Sequence, residues 1–215
     1  MSANSLRGGV FDSGTDELTE LRNLVDDIGA RAFDARIGRR SLPDSFDAAA
    51  WVRLEEAGLT RLDSTADSGG GPVEAAVVLR ALARQAVTVP LAETDLLAGW
   101  LAGRAGLAVL EAGPLTVAVG TSGRLFESVP YAVDAVAVVL AVRDGEVLRV
   151  AVRTPSELSI TKGHNAGGEP RDTVVADLPD GAFFVDWSAA HRDRRVAGPP
   201  FPTRLSSELC AAAYS

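Results

Sequence analysis

Near Gly113-Pro114 the spacing of apolar residues changes from helical to strand-like, and this switch points to an α+β architecture. Upstream, leucines, valines and alanines recur on single helical faces. Downstream, valine-rich runs at 115–119, 135–142 and 148–153 read as strands. A chain of 215 residues has room for one large or two small cores. The expected division is an N-terminal α-helical domain over 1–111 and a small antiparallel β-sandwich or barrel domain over 112–190. A linker and the start of a truncated C-terminal helix follow over 191–215.

Four helices are predicted in the first part. Thr15 caps the first, with Asp16 and Glu17 in its opening turn and Leu18, Leu21, Val25, Ile28 and Phe33 on the inner face. The basic stretch 36–40 and Leu42-Pro43 end it, and Asp44 or Ser45 opens a second helix that buries Trp51 and Leu54. Gly58 then suits a left-handed C′ position, with Leu59 closing onto Leu54 in a Schellman ending. After the 68–71 turn, Pro72 occupies the first position of a third helix, whose apolar face is Val73, Val77, Val78, Leu82 and Ala86. Beyond Pro90, Thr94 caps a fourth, with Leu96, Leu97, Trp100, Leu101 and Leu107 inward and Arg104 outward.

In the second part, Asp144-Gly145 between two valine runs signals an antiparallel hairpin, since type I′ turns need positive φ at both central residues. Segments 173–176 and 183–185 are further strands, with Pro170 and 178–181 as breakers. The charged, proline-rich 191–202 reads as a linker, and 204–214 as a helix cut short.

A formal charge of −8 and a pI near 4.8 argue against a duplex-binding partner, which would need a basic face. Cys210 is the single cysteine, and His164 and His191 lie too far apart in sequence to form a ligand pair, so no metal site is expected. No run reaches the roughly 18 apolar residues that a membrane-spanning helix needs, and the acidic start is unlike a secretory signal. A cytoplasmic protein is therefore expected.

Several local patterns invite a functional reading, and each has a plainer one. The 68–71 glycines lack the preceding strand and the Gly-Lys-Ser/Thr of a phosphate loop, so they read as a turn. His164, with Lys162 and Asn165, offers donors for an anion but fits a solvated loop better. Residues 169–172 read as a surface turn with local ion pairs. Glu55, Glu56, Glu74 and Glu93 are the carboxylates available as bases, and on amphipathic helices they read as solvated. Trp51 and Trp100 read as core, and Cys210 has no activating neighbour. No residue is assigned a catalytic role on these grounds.

Two blocks, FDAAAWVRLEEAGLTRLD (46–63) and SGGGPVEAAVVLRALARQAVTVPLAET (68–94), together resemble the acyl-CoA dehydrogenase family. In them a Trp/Leu helix ending in Glu-x-Gly-Leu precedes a glycine turn, a helix and a Pro-x-x-Glu step. The stretches VPYAVDAVAVVL (129–140) and HNAGGEPRDTVVAD (164–177) are similar to the middle β domain of divergent bacterial members. The resemblance implies α,β-dehydrogenation of acyl-CoA thioesters in fatty-acid or lipid degradation. It also implies FAD as hydride acceptor, an acyl-CoA substrate and assembly as a homo- or hetero-oligomer with an acyl-CoA dehydrogenase subunit. The family's catalytic glutamate lies in a C-terminal bundle that this sequence does not reach, and Val119-Gly120-Thr121-Ser122-Gly123 stands where the family has Thr-Glu-Pro and a later Gly-Ser. Two readings follow: the front part of a dehydrogenase, or a non-catalytic binding or assembly subunit.

Overall fold

The computed structural model describes residues 16–38, 45–65, 70–120, 124–145, 147–177 and 183–186. In chain order the helices are α1 (Asp16–Arg36), α2 (Ala48–Glu56) and α3 (Pro72–Arg84), then a π-helical segment (Glu93–Gly99) running straight into α4 (Trp100–Arg104). The strands are β1 (Leu115–Gly120), β2 (Leu125–Pro130), β3 (Ala137–Asp144), β4 (Val147–Arg153), β5 (Ser159–Thr161), β6 (Arg171–Val175) and β7 (Phe183–Asp186). The predicted 191–202 linker and 204–214 helix lie outside the described residues.

Helices α1 to α3 close one apolar cluster through Val25, Ile28, Trp51, Leu54, Val78 and Leu82. Gly58 lies at φ +71°, with Gly58 N–H donating to Glu55 O at 2.9 Å and Leu59 N–H to Leu54 O at 2.8 Å, which is the expected Schellman ending. Pro72 opens α3 as expected. The second helix starts later than predicted: Asp47 is its cap, taking the Ala50 N–H at 3.0 Å, while the Ser45 carbonyl is held by Thr88. Phe33 is 49% exposed because Ala32, one position earlier, faces inward. Val73 is likewise outside, and Ala86 lies beyond the end of α3 rather than on its face.

Ala86 ends α3 in the left-handed region, at φ +49°, where a glycine is usual. Val87 N–H bonds Leu82 O and Ala86 N–H bonds Ala83 O, so the Schellman geometry forms without one. Arg36 then clamps the same turn from α1, donating to the Ala86 carbonyl and to Gln85 O at 2.6 Å.

A four-stranded sheet has the order β1-β3-β4-β7, with β1 and β3 parallel and the remaining pairs antiparallel, and a three-stranded sheet has the order β2-β6-β5. The parallel β1-β3 pair departs from an all-antiparallel sandwich. Strand β3 is buried on both faces: Ala137, Val139 and Ala141 meet α4, while Val138, Leu140 and Val142 meet Phe126 and Val174 of the second sheet. This is why 135–142 reads as a continuous apolar run. Its hairpin to β4 pairs Asp144 with Val147, so Gly145 at φ +60° is a turn residue and Asp144 is the last strand residue. The sequence did not reveal β2 or β5, which are short and carry Glu, Ser, Pro or Thr.

Replacing Ala86 by glycine should relieve the left-handed strain and raise stability by up to about 1 kcal/mol, net of the greater freedom of the unfolded chain. Arg36→Ala should have the opposite sign. Urea unfolding of both variants checks this pair of outcomes.

Candidate functional site

The junction between the helical layer and the β domain is organised by three consecutive polar residues, Glu93-Thr94-Asp95, at the start of the π-helical segment. The helix begins at 91, so Thr94 is inside it and is not the predicted cap. Its hydroxyl is fully buried; it accepts from Leu115 N–H at 2.9 Å and donates to Leu115 O at 3.0 Å, standing in for a missing strand neighbour of β1. Asp95, also buried, turns the other way. Its carboxylate accepts from Leu62 N–H at 3.0 Å, Asp63 N–H at 3.1 Å and Ser64 N–H at 2.8 Å, capping that turn. Gly99 is required beside it, since a side chain there would lie 2.8 Å from Ser64. The wider i→i+5 turn also shifts the helical phase, so Ala98, Leu101 and Ala102 meet the sheet, while predicted Leu97 is 38% exposed.

Glu93 points to a different set of groups. It is half-buried, and desolvation pushes its carboxyl above the usual range, with Glu169 adding to the shift while its own backbone amide and Arg171 oppose it. Tyr131, 4% exposed, feels it too: burial first, then the charges of Glu93 and Glu169, push the phenol up, so it stays a neutral hydroxyl. Tyr131 lies at φ +50°, and Ser128, in the bulge where β2 slips against β6 between Phe126 and Val129, lies at φ +56°. Asp172, 2% exposed on β6, holds this strained stretch: it accepts from Val133 N–H at 3.0 Å and Gly163 N–H at 3.2 Å. Arg171 donates to Glu169 at 3.1 Å and to Pro170 O at 2.9 Å.

The other residues singled out in sequence fall apart from this cluster. His164 is exposed and bonded only to Asn165 O among the described residues, and Asn165 closes its own loop through the Gly167 and Glu169 amides. The 169–172 stretch contains the expected Glu169-Arg171 pair but is not simply a surface turn, because Asp172 is buried. Glu55 is not a solvated helix face: it takes the Gly113 N–H, while Arg61 holds Leu110, Glu111 and Gly113 carbonyls at 2.8–3.0 Å. Trp51 is core, with its ring 6.1 Å from that of Phe46, and Trp100 packs partly against the sheet. Thr121, Ser122, His191 and Cys210 lie outside the described residues. A lone helical glutamate ordinarily reads as solvated, whereas Glu93 is half-buried. Three polar residues in a row inside an apolar helix were the available signal.

No protein-family model matches the sequence, and no curated protein matches it. Solved structures do. One is a ChsE4-ChsE5 complex from Mycobacterium tuberculosis, with TM-score 0.64 and 22% identity over 83% of this chain and 59% of that one. The butyryl-CoA dehydrogenase of Megasphaera elsdenii matches with TM-score 0.56 and 12% identity over 81% of this chain and 58% of that one. The fold is that of the acyl-CoA dehydrogenases. KijD3 in complex with dTDP matches with TM-score 0.51 and 17% identity over 96% of this chain and 74% of that one, so the same fold accompanies a different ligand. This chain spans under two thirds of the length of the first two. The acyl-CoA dehydrogenase fold raises the question of a flavin, and the described residues around the end of β1 offer few polar side chains to hold one. Val119 is apolar and 66% exposed, Gly120 backs onto the Phe126 ring, and Arg124 is engaged by Asp177. Among these residues Arg124 alone carries side-chain N–H donors, and its Nε and Nη2 are held by Asp177.

Thr94→Val keeps the shape but leaves the Leu115 N–H and C=O buried without a partner, which should cost about 1–3 kcal/mol. Thr94→Ser should retain most of the stability. Thermal unfolding of the two variants, compared with the parent, separates lost hydrogen bonding from lost volume.

Proposed function

We propose that this chain is an acyl-CoA dehydrogenase-like protein that supplies the helical and β walls of a flavin-dependent α,β-dehydrogenation of acyl-CoA thioesters, in cytoplasmic lipid degradation. The observation that carries this reading is the fold match, which runs over most of this chain and little more than half of the matched dehydrogenase. The catalytic base and most of the flavin site then belong to a helical bundle, supplied either by further chain or by a partner subunit. The match to a two-protein complex supports the second source. What these residues do under this reading is hold shape: Thr94, Asp95 and Arg61 fix the helical layer against the sheet, so that a bundle docking on both meets a rigid surface.

A second reading, a non-catalytic binding or assembly subunit, is favoured by the donor-poor end of β1 described above. Both readings agree on an apolar docking surface. Val119, Leu125 and Val175 are exposed at 66%, 52% and 40%, and Leu125 and Val175 are cross-strand neighbours.

The deciding experiment co-purifies the chain with a bundle-bearing subunit of acyl-CoA dehydrogenase fold and records visible flavin absorbance before and after adding acyl-CoA. A yellow complex bleached by acyl-CoA supports the catalytic reading, and a colourless stable complex supports the assembly reading. Flavin held tightly by this chain alone would overturn the shared-site idea. Val119→Asp should weaken the complex about tenfold or more, because it places an unpaired charge in the contact.

A further inference from the structure

We propose that the chain is built as two bodies joined by a polar latch, and that Arg61 locks this latch, so that the bodies open on one another as units. One body is α1 to α3 together with the 45–47 and 85–89 segments, which are tied by the Asp47 N–H to Thr88 O and Thr88 hydroxyl to Ser45 O bonds. Its apolar cluster contains no strand residue. The other body is the π-helical segment, α4 and both sheets, because Thr94 is fixed to β1 while Ala98, Leu101 and Ala102 pack on β3 and β4. Over the described residues the chain passes between the bodies once, at Pro90, well before the change of apolar spacing at Gly113. From the second body Leu91 and Leu96 reach back to the first cluster.

The hydrogen bonds that join the bodies gather on the turn 61–64. Asp95 of the second body accepts the Leu62, Asp63 and Ser64 amides, and Gly99 lies close against the Ser64 side chain. Arg61 reaches the other way. Its Nε donates to Glu111 O at 2.8 Å, and its Nη2 to Leu110 O at 3.0 Å and Gly113 O at 2.9 Å. Glu55 completes the set by accepting the Gly113 N–H. Residues 108–113 have no other hydrogen-bond partner among the described residues, so hydrogen bonds hold this strap from the first body alone. Water can replace these bonds when the bodies part, since Leu110 and Glu111 are exposed, whereas nothing replaces the packing inside either cluster. One guanidinium fork spans three carbonyls and belongs to the same turn that Asp95 caps. The strap and the Asp95 contacts therefore break together.

The test is native-state hydrogen exchange of the intact chain by NMR in low urea. It needs neither flavin nor a partner, so its outcome is independent of the dehydrogenase reading. The Leu62, Asp63, Ser64 and Gly113 amides should exchange through one shared opening, faster and with a smaller urea dependence than Val78 in α3 and Val139 in β3. Arg61→Met should speed all four by about tenfold or more and leave Val78 and Val139 unchanged, because the freed carbonyls lie in water. Arg61→Lys, which keeps the charge without the fork, should fall between the two. Latch amides that exchange only together with Val78 and Val139, an Arg61→Met effect absent or confined to Gly113, or a core amide that accelerates with the latch would overturn the proposal.

Discussion

One threonine hydroxyl sets the relation between the two halves of this chain. The outer edge of β1 begins where no strand is available to pair with it, and an unpaired N–H and C=O buried there would be expensive. Thr94 satisfies both groups of Leu115 with a single oxygen. The helix must therefore sit at a fixed height on the sheet. The widened turn makes this possible, because it allows Thr94 to face β1 while Asp95 reaches back to the 62–64 amides. Gly99 lets the two segments approach closely enough for both contacts to form at once.

Around this joint the β domain stores strain in a short stretch. Ser128 and Tyr131 both adopt left-handed backbone, which neither residue favours, and Asp172 holds the chain there from β6. Such strain persists only where surrounding contacts over-determine it. Here the same stretch lies beside Glu93 and Arg171, the charged groups of the seam. The shared fold does not itself bring the chemistry, since related structures include acyl-CoA dehydrogenases and a protein solved with dTDP.

Much of the architecture was legible because single residues carried clear signals. Gly58, Pro72 and the valine runs each have one dominant conformational use, and each behaved accordingly. In the fourth helix Leu96, Trp100, Leu101 and Leu107 face inward as expected, and Leu97 does not, because a 3.6-residue period does not describe a π-helical turn. Asp44 or Ser45 looked like a cap because cap residues cluster there, whereas Asp47 is the one with an amide in reach. The parallel β1-β3 pairing is topological and leaves no local mark. The seam cluster was hidden for another reason: Glu93, Tyr131 and Arg171 are far apart in sequence, and only the packing of helix on sheet brings them within range of one another.

Strand β3 fills two compartments with alternate residues: Ala137, Val139 and Ala141 on one side, Val138, Leu140 and Val142 on the other. Neither compartment can be completed without it, so the helical layer and the second sheet share a common wall. A change of size at any of these positions is transmitted to the opposite compartment through the strand's own backbone. For mutational tolerance the two sheets and α4 form one inheritance unit, while the α1 to α3 cluster closes without β3.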